Sequence, residues 1–274
     1  MKLDYATLIS PYPFYLERIG GIKSPTLKAI WNPDITYQTY QMYITLLLMT
    51  PKNYCKQVDV SMQNWYQSLS EEERQHLNMM DIIVNNKNLQ SSYTKMFNFF
   101  FVENVFWDDK NQVFFLTQDN VFYDETNQFF YLHNNKKEKI PTDNFGLIHR
   151  NIFVDLCDII LQRCGIVRSD TDTDTSNVKN KRALEILKKL KKGRENISKT
   201  SNNDKDINLP NLIASVAVKS NSINFTNIWD LTVFQLYEQF KKEQTNVYFD
   251  IKKMSVAAYG NEKNTFQGNE WYKN

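Results

Sequence analysis

The chain has 274 residues, with 33 lysines and arginines against 31 aspartates and glutamates, so its net charge of +2 excludes a function driven by overall charge. Hydrophobic residues make up 42% of the sequence and aromatic residues 14%, which is enough for a sizeable core and excludes global disorder. Only seven glycines are present, which argues against glycine-rich phosphate loops and turn-dense β-sandwiches.

Helix signals dominate the first hundred residues. Start signals and apolar residues at three- and four-residue steps indicate a series of helices there. The predicted helices run from the Ser24-Pro25 cap to about residue 31, over 36–49, from the Ser70 and Glu73 capping box onward, and over about 87–101. The helix over 36–49 carries enough apolar residues to be largely buried.

The sequence changes character between about 104 and 133. Short aromatic and β-branched runs alternate there with polar clusters, which is typical of short strands. The runs are 105–107, 113–116, 121–123 and 129–132. They predict a small antiparallel meander, and because its strands are few and short we expect it to pack on neighbouring helices.

Helix signals return in the second half of the chain. The expected elements are a central helix over 147–164, a polar loop over 169–176, a basic amphipathic helix over about 179–197, a polar linker over 198–206, a helix over 210–219, a helix capped by Asn227 and a last helix over about 247–259. The fold class is therefore mainly α (α+β), a multi-helix bundle with an inserted β-meander. The predicted parts are 1–168, a loop, basic helix and linker over 169–208, and a C-terminal helical segment over 209–274 that packs on the first part.

The sequence lacks the features of an export signal or a membrane span, so we expect a protein that stays inside the cell. The N-terminus has an early acid and no long apolar run, unlike a secretory signal. The apolar run Tyr43–Met49 is shorter than the roughly 20 residues that a membrane span needs. Cys55, Cys157 and Cys164 form no even-numbered disulfide framework, so we expect free thiols in a reducing cytoplasm.

Residues that could carry catalysis or bind a metal do not combine into a recognisable motif. No nucleophile with a histidine base is evident, and no pair of closely spaced metal ligands occurs. The residues weighed for such roles are His76, His133, His149, Cys157, Cys164, the pair Asp155 and Asp158, and the alternating Asp170, Asp172 and Asp174. Structural roles fit all of them better, so the sequence predicts no enzyme, no cofactor and no metal site.

The basic helix is the candidate for binding an anion or nucleic acid. Its cations are Lys188, Lys189, Lys191, Lys192 and Arg194. It lacks interleaved aromatic residues on which bases would stack, so a solvated helix face is the competing interpretation.

Aromatic residues suggest a protein-binding surface instead. The chain has 18 Phe, 15 Tyr and 5 Trp, more than a modest core requires, and aromatic side chains often anchor protein interfaces. The helix around 228–237 carries apolar residues on a second side beyond its main stripe. We select Trp229, Phe234, Tyr237 and Trp271 as candidate contact residues.

Four stretches resemble proteins encoded among the tail-morphogenesis genes of tailed bacteriophages and prophages of low-GC Gram-positive bacteria. They are Pro13–Leu27, Leu46–Met49, Asn227–Tyr237 and Met254–Gly260. The resemblance spans both ends of the chain and much of its middle.

The resemblance implies a non-enzymatic protein that acts through protein–protein contacts in tail assembly. It implies a tail assembly chaperone for the tail-tube or tape-measure protein, or a minor tail component. Its setting would be the bacterial host cytoplasm, with association to the virion as a further possibility, and a second copy of the chain is a further candidate partner. The alternative is a phage regulator that binds nucleic acid through the basic helix 179–194, and no membrane partner is expected.

Overall fold

The structure is a computed structural model that describes residues 1–58, 60–117, 121–124, 129–132, 146–168, 208–261, 266–269 and 271. It is mainly α-helical with small antiparallel sheets, which confirms the predicted fold class. The helices are α1 (Tyr5–Ile9), α2 (Leu27–Ile30), α3 (Tyr37–Leu48), α4 (Pro51–Val58), α5 (Val60–Ser68), α6 (Glu71–His76), α7 (Met79–Ile83), α8 (Lys87–Phe100), α9 (Arg150–Arg163), α10 (Leu209–Lys219), a 3-10 turn (Ile228–Asp230) and α11 (Val233–Tyr259). The strands are β1 (Phe14–Leu16), β2 (Gly20–Ile22), β3 (Asn104–Asp108), β4 (Val113–Thr117), β5 (Val121–Asp124), β6 (Phe129–Leu132) and β7 (Gly146–Ile148).

The centre of the core is built from α3, α8 and α9. Tyr93 and Phe97 on α8 are fully buried, and their rings lie 5.6 Å and 6.1 Å from the ring of Phe153 on α9. The Tyr93 hydroxyl donates a hydrogen bond of 2.9 Å to the Leu46 carbonyl of α3. This bond satisfies the one polar atom of the ring, which is what a buried tyrosine requires.

Local signals located several helices correctly. Thr36 caps α3 through its hydroxyl, and Ser70 and Glu73 form the capping box of α6. The helices over about 87–101 and 210–219 are also confirmed as α8 and α10. The predicted cap at Ser24-Pro25 is wrong, because this stretch is extended and α2 begins only after Thr26. The Pro25 carbonyl there accepts a hydrogen bond from the Val233 amide.

The predicted meander is correct in its four strands and in the antiparallel pairs β3–β4 and β5–β6, and wrong in placing all four strands in one sheet. All four aromatic runs form strands, but β4 pairs with β3 and β7, whereas β5 and β6 form a separate two-stranded sheet. The strand β7 was predicted as the beginning of the central helix, which in fact starts at Arg150 with His149 as its N-cap. Local periodicity missed this strand because its pairing partner is more than 25 residues away in sequence.

The C-terminal segment differs from its prediction in two respects. Asn227 precedes only the 3-10 turn, and a capping box of Thr232 with Gln235 begins α11. The two predicted helices are one helix of 27 residues, which ends at Gly260 with φ of 80°.

The N-terminal residues join the central and C-terminal helices. Arg163 of α9 is fully buried and donates hydrogen bonds to the carbonyls of Thr7, Ser10 and Tyr12. The side-chain amide of Gln235 in α11 donates a hydrogen bond of 2.8 Å to the Ile9 carbonyl. Buried residues of the first 168 positions and of 208–236 belong to one hydrophobic cluster.

Several predictions lie outside the described residues. They are the loop over 169–176, the basic helix over 179–197 and the linker over 198–206. Among the helices in the described ranges, none combines the length and hydropathy needed to cross a membrane.

Candidate protein-binding surface

The aromatic candidates of the C-terminal segment are divided between the core and the surface. Phe234 is buried, and Trp229 and Tyr237 are half-buried and pack against the core. The Trp229 ring lies edge-on to Trp31 at 5.9 Å, and its indole N–H donates to the Phe225 carbonyl. Burial raises the pKa of the Tyr237 hydroxyl well above its ordinary value. Of the four, only Trp271 is exposed, so the other three serve the packing of this chain.

The first turns of α11 are held in the core. Val233 and Leu236 are almost fully buried, and the Phe234 ring lies edge-on to Tyr5 of α1 at 6.4 Å. The hydroxyl of the same tyrosine donates to Glu238 at 3.3 Å. Half-buried Phe240 continues this packed face.

The same face of α11 continues beyond the core and becomes exposed. Phe240, Val247 and Met254 are spaced by seven residues, which keeps them on one side of a helix. We call Val247, Tyr248, Ile251 and Met254 the exposed stripe, and their exposed fractions are 39%, 62%, 55% and 64%. Neighbouring large apolar side chains that are this exposed are typical of a surface that binds another protein.

A groove between α10 and α11 adjoins the exposed stripe. It has a volume of about 420 Å³, and its walls include Val216 and Lys219 of α10 and Glu243, Val247 and Ile251 of α11. Its floor is therefore apolar, and one cation and one carboxylate stand among its polar lining. A surface of this shape fits an amphipathic helix better than a small polar ligand.

On the side of α11 away from the stripe, one aromatic residue is in contact with a segment that follows the helix. The Phe249 ring lies 5.3 Å from Phe266, which follows the helix.

The polar residues weighed for catalysis are engaged in structural contacts. Asp155 lies 3.6 Å from the N-terminal ammonium, and Asp158 pairs with Arg168 at 3.0 Å, so the two carboxylates do not act as a pair. The His149 imidazole accepts a hydrogen bond from the Asn151 amide at the start of α9. His133, the alternating aspartates and the basic residues Lys188, Lys189, Lys191, Lys192 and Arg194 lie outside the described residues.

A second cavity of about 230 Å³ lies beside Cys157, His76 and Arg168. Burial raises the pKa of the Cys157 thiol to about 12, so this thiol is protonated at neutral pH and is a poor nucleophile. The Arg168 guanidinium is occupied by Asp158 and by the Leu47 carbonyl. Within the described residues, no three His, Cys, Asp or Glu side chains come together as metal ligands.

Part of the chain is similar to a known protein family. Residues 199–274 match the family model described as the YomV second domain, a phage-derived family. The matched segment contains α10, the 3-10 turn and α11, so the likeness falls on the part of the chain that carries the exposed stripe. No curated protein matches the chain. No solved structure matches it either.

The sequence contained a signal for the exposed stripe that aromatic content alone did not reveal. The seven-residue spacing runs without interruption from the buried to the exposed part of α11. Of the selected residues, Phe234 and Tyr237 lie on α11, and both are on its buried half. The exposed half carries the residues Val247, Ile251 and Met254, which were not selected.

Proposed function

We propose that this chain is a non-enzymatic bacteriophage protein that acts through protein–protein contacts in tail morphogenesis, as a tail assembly chaperone or a minor tail component. The observation that carries the proposal is the exposed stripe on α11 within the segment similar to a phage-derived domain. The resemblance of the wider chain to tail-module proteins supplies the tail setting.

The mechanism would be shielding of a self-associating tail protein. Tail-tube and tape-measure proteins polymerise or elongate through apolar faces, and a groove with an apolar floor can cover such a face until assembly starts. This role requires surface area and shape rather than reactive groups. The exposed Ile251 and Met254 would contribute apolar contact, and Lys219 and Glu243 would orient the bound segment.

Co-expression with the tail-tube and tape-measure proteins of the same genome tests the proposal. We expect co-elution in size-exclusion chromatography, and loss of co-elution with Ile251→Glu. The matched control is Asn246→Glu, which adds the same charge at an exposed position of α11 outside the stripe. Mass spectrometry of purified virions separates the two versions, since a chaperone is absent from virions and a tail component is present. The proposal would be contradicted if this chain neither co-eluted with a tail protein nor occurred in virions.

The second candidate function is nucleic-acid binding by the helix over 179–194. It is supported by the five cations between Lys188 and Arg194. Binding through phosphates would weaken steeply with salt and would be lost when these charges are reversed. Filter binding with RNA and DNA at several salt concentrations measures this, and salt-insensitive or absent binding would exclude it.

A further inference from the structure

We propose that the cavity beside Cys157 binds a small uncharged apolar molecule, about the size of a substituted benzene ring. We call it the Cys157 cavity; it lies between the turn from α3 to α4, the turn from α6 to α7, and α9. It shares no lining residue with the exposed stripe, so this binding site goes beyond the proposed function and does not depend on it.

The floor of the Cys157 cavity is apolar and buried. It is formed by Leu47, Met79, Phe153 and Cys157, each of which is at most 3% exposed. The Cys157 thiol is neutral at pH 7, because burial raises its pKa to about 12. Val154 also lines the cavity and is exposed, so the cavity reaches the surface and a ligand can enter while the chain stays folded.

The half-buried polar side chains of the lining already have partners within the chain. Thr50 accepts a hydrogen bond from a backbone amide of α4. Asn78 accepts from a backbone amide of α7 and donates to the Arg150 carbonyl. Arg168 pairs with Asp158 at 3.0 Å and donates to a backbone carbonyl of α3. A charged or strongly polar ligand would have to break these contacts, so the lining favours an uncharged apolar one.

The walls of the Cys157 cavity are fixed in position by polar contacts. Arg150 at the start of α9 holds Asp81 of α7 through two hydrogen bonds and donates to the His76 carbonyl of α6. Arg168, which follows α9, is bonded to the end of α3. Protein interiors are close-packed and leave few voids. Because these contacts keep the three walls from closing on one another, the cavity is preformed for a ligand.

The volume of the Cys157 cavity sets the size of the ligand. The cavity has about 230 Å³, and an apolar cavity of about 150 Å³ is enough to hold benzene. Water at the apolar floor has few hydrogen-bond partners, so an apolar molecule gains affinity when it displaces that water. For a ligand of about ten non-hydrogen atoms we expect a dissociation constant of about 0.1–1 mM.

The first experiment titrates m-xylene into the full-length protein with isotope-labelled methionine methyl groups. Met49 and Met79 line the cavity, and Met254 of the exposed stripe is the internal control. We expect saturable shifts in the NMR signals of Met49 and Met79, without saturation at Met254. Resorcinol has the shape of m-xylene but carries two hydroxyl groups. It should bind at least about tenfold more weakly, because a hydroxyl at the apolar floor has no partner.

The second experiment uses variants that reduce the space in the cavity. Cys157→Leu fills the floor and should abolish the saturable shifts. Because an enlarged core residue can disturb folding, Val154→Phe narrows the entrance from an exposed position and should raise the dissociation constant several-fold. The matched control is Val218→Phe, which adds the same ring at an exposed position of α10 and should leave binding unchanged. Circular dichroism establishes that each variant is folded.

Several results would overturn the proposal. One is the absence of saturable shifts at Met49 and Met79 up to the solubility limit of m-xylene. Saturation at Met254 with the same dissociation constant would mean that m-xylene binds apolar side chains in general. Equal affinity for resorcinol would contradict an apolar lining, and unchanged binding in both Cys157→Leu and Val154→Phe would place the ligand elsewhere. None of these results changes the expected co-elution with a tail protein, so this proposal and the proposed function fail separately.

Discussion

At the scale of single residues, Gly146 is fixed by the backbone that it meets. A Cβ atom at this position would lie 1.8 Å from the carbonyl oxygen of Ile19, and a main-chain atom cannot move aside as a side chain can. The next amide, that of Leu147, donates to the Arg18 carbonyl at 3.1 Å and holds the two segments together. This close approach joins the loop after β1 to β7.

Substituting Gly146→Ala should therefore destabilise the protein. We expect a loss of about 1–3 kcal/mol or more, because one of the two segments must shift and β7 would lose pairing with β4. The matched control is Gly268→Ala, where a Cβ atom would meet nothing within 4 Å. Urea unfolding measures both. Equal stability of the two variants would show that the loop and β7 do not approach in this way.

The ion pair of Arg150 with Asp81 gives a pH dependence whose sign can be stated. The guanidinium contacts both carboxylate oxygens, at 2.7 Å and 3.0 Å. Partial burial tends to raise the pKa of Asp81, but the hydrogen bonds from Arg150 and from the Asn78 amide, with the guanidinium charge, outweigh it and hold the pKa below 3.8. The stabilisation is thus complete above pH 3.8 and is lost as the pH falls through the lowered pKa.

Replacing Asp81→Asn should lower the free energy of unfolding by about 1 kcal/mol at pH 7, near the upper end for a partly exposed pair, because this pair is bidentate. The difference from the wild type should shrink as the pH falls below 3.8. Denaturant unfolding at pH 7 and at stepwise lower pH measures this difference, with the exposed Asp34→Asn as control. A difference that grew on acidification would contradict the assigned sign.

At the scale of elements, the sequence predicted a helix correctly where residues close together in sequence determine its start. The caps at Thr36 and Ser70 were visible in the sequence because a hydroxyl and the amide that it accepts from are three residues apart. The pairing of β4 with β7 was not visible, because the paired residues are more than 25 positions apart in sequence. The exposed stripe was missed for a related reason. Which residues of α11 are exposed depends on how far along the helix the core packs against it.

The capping box of α11 is an element whose strength can be measured. The Thr232 hydroxyl accepts from the Gln235 amide at 3.1 Å, and the Gln235 side chain accepts from the Thr232 amide at 2.9 Å. Thr232→Ala should cost about 1–2 kcal/mol, because a buried helix end loses its partner. The control Thr245→Ala lies within the same helix, where alanine is the better helix former, so no loss is expected. Thermal unfolding followed by circular dichroism compares them.

At the scale of the whole molecule, the segment similar to a phage-derived second domain is built into the rest of the chain. Leu27 donates from its amide to the Leu231 carbonyl, and Thr26 pairs with Thr232 as an isolated bridge. Lys28 forms an ion pair of 2.7 Å with Asp230. These contacts connect the beginning of α2 directly to the entry of α11, within one hydrophobic cluster.

The segment 199–274 should therefore not fold cooperatively by itself. Its buried residues Ile228, Val233 and Leu236 would be exposed without the first 168 residues, and α10 with the start of α11 offers too little apolar area to replace them. We expect the isolated segment to show partial helicity and a broad thermal transition, whereas the full chain unfolds in one transition seen alike by near-UV and far-UV circular dichroism.

Adding residues 1–168 in trans should restore helicity to the isolated segment, because the contacts of Thr26 and Lys28 and the shared core would re-form. A segment carrying Val233→Asp, which places a charge at a buried position, is the matched control and should not be rescued. A sharp independent transition of the segment would instead make it a separate domain. The exposed stripe would then belong to a unit that moves apart from the rest, and the shared core would not determine its position.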